Sequence, residues 1–516
     1  RNSKYIALGV LITYLPILTI FLTILFSNKL FTYTLDDPYI HLELAKNIFR
    51  GNHGINMTEF SAPSSSILFP FLLAPFSNFQ LYLFIPFIYN SIFFILTAFL
   101  LITFFRDKFE NNKYAIAASI LFLFSINSYG LVFTGMEHSL HLLLTIFSTL
   151  CLLNKKWLER YNFLFYASII LAPLVRFEGM AISLPILIYI YLSQSQERKK
   201  CIYSFFILFA CITGYASFLY LNIGEVLPSS VLMKQRTFSD GGIKIILWNI
   251  YNMSKKYGWL FCISFFIIWR LNKKDNIFNL FVGSTILLFL SFGRYGWYGR
   301  YEVFFLSFIL LLLINNLYKK FRFETVHIFA FALMPFIFAL QVYCTLTVPI
   351  ASSNIYNQQY LLSQFVKKFD KPVAVNDLGL ISYFSDKYVL DLWGLGNNDT
   401  LKARKNKEID FVSNFAKKYK TELLIIYSDW FSSQELADFI HVADLNLKGK
   451  RITPASSKVS FYVSDKNLIS EVQNQLLDFY HKTKFLFGRT HLQYHFLKNL
   501  KLVIKLKLIF SFFYQF

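Results

Sequence analysis

Two adjacent carboxylates, Asp36 and Asp37, follow the first apolar run of the chain and stand directly before Pro38. Acids at a membrane boundary are costly unless they are solvated, paired or used. The pair is therefore read as a catalytic or substrate site. A structural role accounts for one member, because an Asp before proline suits an N-cap with proline at the first helical position. The helix so started runs from Pro38 to Arg50, with Ile40, Leu44, Ile48 and Phe49 set against Glu43, Lys46, Asn47 and Arg50. Gly51 closes it. Capping claims Asp37, at least in part, which makes Asp36 the stronger candidate for a functional acid.

Further along, Glu137-His138 follows Thr134-Gly135-Met136. An acid beside an imidazole can bind a metal, hold a phosphate or start a helix, and both the functional and the structural readings stay open. Arg176-Phe177-Glu178-Gly179 forms a very short turn between apolar runs, either as part of a site or as an ion pair closing a helical hairpin. Lys234-Gln235-Arg236 comes after Pro228-Ser229-Ser230. From Arg294 to Glu302, cations alternate with aromatics, and Arg300 abuts the next apolar run. Such a mixture suits a phosphate with its lipid tail, and equally an interfacial aromatic belt. Arg300 is the favoured functional cation. There is no Walker loop, GxGxxG, HExxH or GxSxG pattern, so direct use of a nucleotide has no signature. Cys151, Cys201, Cys211, Cys262 and Cys344 are scattered without CxxC spacing, which argues against a disulfide framework or a zinc site.

The elements that must position these groups follow from composition. Of 516 residues, 55% are hydrophobic and only 16% charged, against about 25% in a typical soluble chain. The deficit falls in repeated apolar runs long enough for a hydrocarbon core of roughly 30 Å. A soluble helical protein would need many helices apolar on every face. The net charge of +21 points to the membrane and not to nucleic acid, because the basic clusters sit in short connections where the positive-inside rule applies. Placing those connections in the cytoplasm gives about eleven spans: 5–27, 79–105, 114–131, 139–154, 161–175, 180–194, 201–222, 257–270, 276–292, 302–318 and 325–348. Residues 66–76 read as a re-entrant or interfacial helix and 242–253 as a surface helix.

This threading gathers the loops 28–66, 223–256 and 293–301 on the outer face, with everything after 349. Residues 1–349 form the membrane catalytic domain. Short β-prone runs at 374–377, 389–391 and 423–427 predict an extracytoplasmic α/β domain over 350–480. Residues 481–516 read as a basic amphipathic tail on the membrane surface. The fold class is thus mainly α: a polytopic helical membrane protein with a C-terminal α/β domain.

The order of these features resembles the GT-C glycosyltransferases, multi-span enzymes that take sugars from polyprenyl-phosphate carriers. It is most similar to the branch containing the mycobacterial terminal arabinofuranosyltransferase. The resemblance rests on Asp36-Asp37-Pro38-Tyr39, Gly54, Ser61-Ala62-Pro63-Ser64-Ser65, Gly135-Met136-Glu137, Arg176-Phe177-Glu178-Gly179, Pro228-Ser229-Ser230, Arg300-Tyr301, and the stretch Asn376–Asp386 running to Asp391–Leu395. Phe177 replaces an expected proline, and Ser229-Ser230 an expected Asn-Thr pair; both departures bear on the donor sugar more than on the reaction class. The resemblance implies a hexosyl- or pentosyltransferase of the bacterial cytoplasmic membrane, working on its outer face. Its donor would be a polyprenyl-phosphate-linked sugar and its acceptor a glycan, lipid or protein. Asp36, or failing it Asp37, would act as base. Arg300, Arg176, Lys234 and His138 would serve the phosphate, and Glu137 and Glu178 would orient substrate. Some members hold a divalent cation such as Mg or Mn, for which Asp36, Asp37 and Glu137 would be the ligands. Two other classes compete: a flippase for lipid-linked saccharides, and a non-catalytic membrane scaffold.

Overall fold

The computed structural model describes residues 2–28, 30–234, 242–322 and 327–487. It is mainly helical, with one small sheet near the C-terminus. Among the described residues, four helices are both long and apolar enough to cross a membrane: Lys4–Asn28, Tyr82–Arg106, Ser195–Ile223 and Val303–Phe321. A fifth apolar stretch is broken, with Ile328–Ile337 and Ala339–Leu346 bent by 75°. The remaining apolar segments also form helices, but short ones. Asn162–Val175, for example, has 14 residues, about 21 Å at 1.5 Å per residue. The stretch expected as a span over 114–131 is divided at Asn127, whose left-handed backbone (φ 60°) separates Asn112–Ser125 from Ser128–Val132.

The first and third long helices turn large apolar side chains outward, among them Leu11, Leu15 and Phe26, and Phe206, Phe209 and Leu221. The Val303–Phe321 helix is central, with nearly all of its first fourteen residues buried.

The helix after the aspartate pair, α2 (Asp37–Phe49), is wedged between two hydrophobic cores. Tyr39, Leu42 and Ala45 join the core of the helical body. Ile40 and Leu44, one turn apart on another face, join the core of the α/β unit with Leu378, Ile381 and Val389. Glu43 and Asn47, expected on a solvated face, are buried instead. Asn47 is used there, since its amide donates to the carbonyls of Gly54 (2.9 Å) and Ile55 (2.8 Å) and pins the following loop. Gly51, with φ 89°, ends the helix as its sequence position implies.

The α/β unit has strands β1 (Val373–Val375), β2 (Val389–Asp391), β3 (Leu423–Ile426), β4 (Ile440–Asn446) and β5 (Lys458–Val463), in the order β2-β1-β3-β5-β4. β1 pairs in parallel with β2 and β3, while β5 runs antiparallel to β3 and β4. The chain goes from β1 to one side and returns to the other. The carboxyl ends of β1 and β3 therefore bound a crevice, the place where open α/β sheets bind ligands. Helix Leu468–Phe487 follows the sheet. The rest of the tail expected at 481–516, from 488 on, lies outside the described residues.

Candidate functional site

The crevice of the sheet is where the first aspartate goes. Asp36 is buried, and its carboxylate accepts the backbone N–H groups of Gly379 (2.5 Å) and Leu380 (2.8 Å). The approach is close enough to require glycine, because a Cβ on Gly379 would lie 2.1 Å from the Asp36 carbonyl oxygen. The Asp36 carboxyl is also hydrogen-bonded to that of Asp377, which follows β1. Asp377 in turn accepts from Gln359 (2.7 Å) and the Tyr427 hydroxyl (2.7 Å), which lies just past β3. Burial, and then the neighbouring Asp377 charge, hold the Asp36 carboxyl well above the usual carboxylate range. Burial raises Asp377 too. Asp36 is thus built into the junction between helical body and α/β unit.

Asp37 faces a different way. It is the first residue of α2, and no side-chain cap bond forms at that end of the helix. Its carboxylate Oδ2 lies 2.5 Å from Nη2 of Arg300, and its side chain keeps 30% of its surface exposed. The geometry separates the two acids: Asp36 is bonded into the junction, and Asp37 meets the buried Arg300. The reason is a partner from far along the chain, since the α/β unit supplies Asp36 with two N–H donors that local sequence does not announce.

Arg300 is 2% exposed. Its Nη2 also donates to the Tyr301 hydroxyl (3.0 Å), but Nε and Nη1 have no partner. Both ring nitrogens of buried His138 are likewise unpartnered. The Tyr301 ring holds this group together, with Arg300 Cζ at 4.9 Å, Arg176 Cζ at 5.1 Å and the His138 ring at 5.7 Å from its centroid.

The other expected residues divide. Arg176 is buried and fully committed, with Nη1 to Glu137 (2.6 Å) and Nη2 to Glu178 (2.9 Å). Burial would raise the Glu178 carboxyl, but Arg176 outweighs it and brings it down to about 2. Arg176, Glu137 and Glu178 therefore form an internal ion-pair cluster that adjoins Arg300 across the Tyr301 ring. Lys234 ends the helix Ser229–Lys234, and its side chain lies outside the described residues.

Two histidines escaped the sequence reading. His41 is bracketed by Glu137 (Nε2, 3.6 Å) and the Ser64 hydroxyl (Nδ1, 3.2 Å). His141 packs on Phe304 with ring centroids 4.1 Å apart. Helical spacing was the available signal, as His41 is four residues after Asp37 and His141 three after His138.

The residues do not fit a divalent ion. Among the described residues no group of three or more His, Cys, Asp and Glu side chains is placed to hold a metal. Of the three expected ligands, Asp36 is turned to backbone N–H groups and Glu137 to Arg176.

One family model matches, the Domain of unknown function (DUF8728), over residues 353–462. That segment carries almost all of the five-stranded sheet and the Asp377 junction. No curated protein matches the chain, and no solved structure does.

Proposed function

We propose that the chain is a membrane glycosyltransferase of the GT-C kind, moving a sugar from a polyprenyl-phosphate carrier to a cell-envelope acceptor on the outer face of a bacterial cytoplasmic membrane. The observation that carries the reading is Arg300. A buried guanidinium with two unmatched nitrogens is costly, about 1–3 kcal/mol for each unsatisfied group, unless a ligand supplies the acceptors. A phosphate does so with matching geometry and opposite charge. Outward-facing apolar side chains on the long helices favour a bilayer as surroundings. The shorter apolar helices would then complete the bundle with reduced or tilted crossings.

The chemistry follows from the pairing with Asp37. In the unliganded site Asp37 neutralises Arg300. The arriving donor, a phosphodiester between polyprenol and sugar, competes for the same guanidinium and displaces the carboxylate, which then faces the acceptor. The acceptor hydroxyl attacks the anomeric carbon, and its proton passes to Asp37. The bond from the anomeric carbon to the phosphate oxygen breaks with its electron pair left on the phosphate. Arg300 takes up that growing negative charge, so its stabilisation is larger in the transition state than in the bound donor. His138 lines the same pocket through Tyr301 and serves orientation.

The test is binding of undecaprenyl phosphate to the detergent-solubilised full chain. Wild type should bind, and Arg300→Ala should bind at least tenfold more weakly. Equal affinity of the two would remove the phosphate role from Arg300.

A further inference from the structure

A cleft lies against the loop that leads to Arg300, and nothing above uses it. It measures about 350 Å³ and lies between the loop carrying Trp297 and Tyr298 and the β4–β5 connection, whose Arg451, Thr453, Pro454 and Ala455 form the facing wall. That volume falls within the range of small-molecule sites.

One wall is held in a conformation that costs energy. Gly296, Trp297, Tyr298 and Gly299 have φ of 86°, 43°, 68° and 63°, four successive residues in the left-handed region. For bulky residues such as Trp and Tyr this is a strained backbone conformation that persists only where surrounding bonds hold it. Specific bonds keep it. The Tyr298 hydroxyl donates to the Cys344 carbonyl (2.6 Å), Asn127 donates to the Tyr298 carbonyl (3.0 Å), and the Gly296 N–H donates to Glu302 (3.0 Å). The outcome is a Trp297 indole held 51% exposed at the cleft.

The opposite wall is also fixed. Asn354 donates to the Lys450 carbonyl (3.1 Å) and accepts from the Ile452 N–H (2.8 Å). Arg451, which lines the cleft, donates through Nη1 to the carbonyls of Pro454 and Ala455, and these bonds do not use Nε or Nη2. The Thr453 hydroxyl has no partner.

We infer that this cleft is the subsite for a carbohydrate acceptor, a glycan chain whose sugar ring stacks on Trp297 and whose hydroxyls bond Arg451 and Thr453. The inference rests on the transferase reading for the word acceptor. A sugar ring presents an apolar C–H face and a rim of hydroxyls, and a half-exposed indole beside a guanidinium and a hydroxyl matches both. The lining mixes Trp297, Tyr298, Ile452 and Pro454 with Arg451 and Thr453, so it offers both an apolar face and polar groups, as a sugar ring requires. Position supports it as well. Trp297 is three residues from Arg300, so their backbones are at most about 10 Å apart even fully extended, and the left-handed turn is shorter. A sugar seated on Trp297 thus brings a chain end within reach of the Asp37–Arg300 pair.

The experiment titrates the full chain in detergent with a panel of neutral and acidic bacterial cell-wall tetrasaccharides, following tryptophan fluorescence. Dihexanoyl phosphatidylglycerol serves as the lipid-headgroup arm. At least one tetrasaccharide should bind, with affinity falling tenfold or more in both Trp297→Gly and Arg451→Ala. Glycine relieves the backbone at 297, and Arg451 is exposed, so neither change should unfold the chain. If no tetrasaccharide binds, if the variants bind equally, or if only the phosphatidylglycerol is displaced from the cleft, the subsite is refuted. Because the readout is binding, it is separate from the transfer assay. Glycan bound at Trp297 without sugar transfer would count against the enzymatic reading while keeping the cleft.

Discussion

Arg300 and Asp37, 263 positions apart in the chain, meet at 2.5 Å, and the two other guanidinium nitrogens, Nε and Nη1, remain unmatched beside them. The Asp37 side of this pair is partly open while the Arg300 side is buried. An anion can therefore reach the arginine only by taking the place the carboxylate holds.

Arg300→Lys should be a severe change despite keeping the charge. An ammonium cannot present the planar fork that meets Asp37, Tyr301 and a phosphate together. We expect kcat/KM for sugar transfer to fall about 10²–10³-fold, with the melting temperature close to that of wild type, measured side by side.

The Asp36–Asp377 junction should make stability depend on pH. Both carboxyls are raised by burial, and Asp36 also by its neighbour. The folded state thus keeps protons that an unfolded chain releases near pH 4. The stabilisation is complete below that value and is lost as pH rises through the raised carboxyls. The melting temperature should fall as the pH is raised above about 4, and Asp377→Asn should flatten that slope. An unchanged slope in the variant would mean the junction does not titrate.

Glu137→Gln should act on folding before chemistry. It leaves Arg176 buried with one carboxylate in place of two, and breaking a buried pair costs about 3–5 kcal/mol. Thermal denaturation should show the loss, and Glu178→Gln should give a smaller one because Glu178 is the less buried partner.

Gly299→Ala tests whether the left-handed turn positions Arg300. A Cβ there would lie 2.3 Å from Gln341 Oε1, and φ of 63° disfavours any L side chain. Phosphate affinity should drop several-fold although residue 299 carries no functional group. Unaltered undecaprenyl phosphate binding would show that Arg300 is placed by other contacts.

Much of the helical architecture was legible because apolar runs and basic connections are local features. The helix after Pro38, its end at Gly51 and the strands at 373–375, 389–391 and 423–426 stand where the pattern puts them. The β4–β5 pair was not anticipated, as β4 mixes half-exposed and exposed positions without a clean apolar face. The role of Asp36 was illegible for another reason. Its partners Gly379, Leu380 and Asp377 lie more than 300 residues away, and a carboxylate filling a sheet crevice looks in sequence like a free acid. Arg176 and Glu178 were read with both outcomes open, and the short turn between them settles them as an ion pair. Arg300 was picked out from its aromatic neighbours, and Tyr301 is the neighbour that organises the group.

The most direct measurement is the initial rate of sugar transfer from a panel of undecaprenyl-phosphate-linked sugars by the purified chain, with Asp37→Asn and Asp36→Asn compared at equal folded fraction. The account predicts transfer from at least one donor, with kcat reduced about 10²–10⁴-fold in Asp37→Asn and within about tenfold of wild type in Asp36→Asn. Near-wild-type turnover by Asp37→Asn, or no transfer from any of the donors, would contradict it.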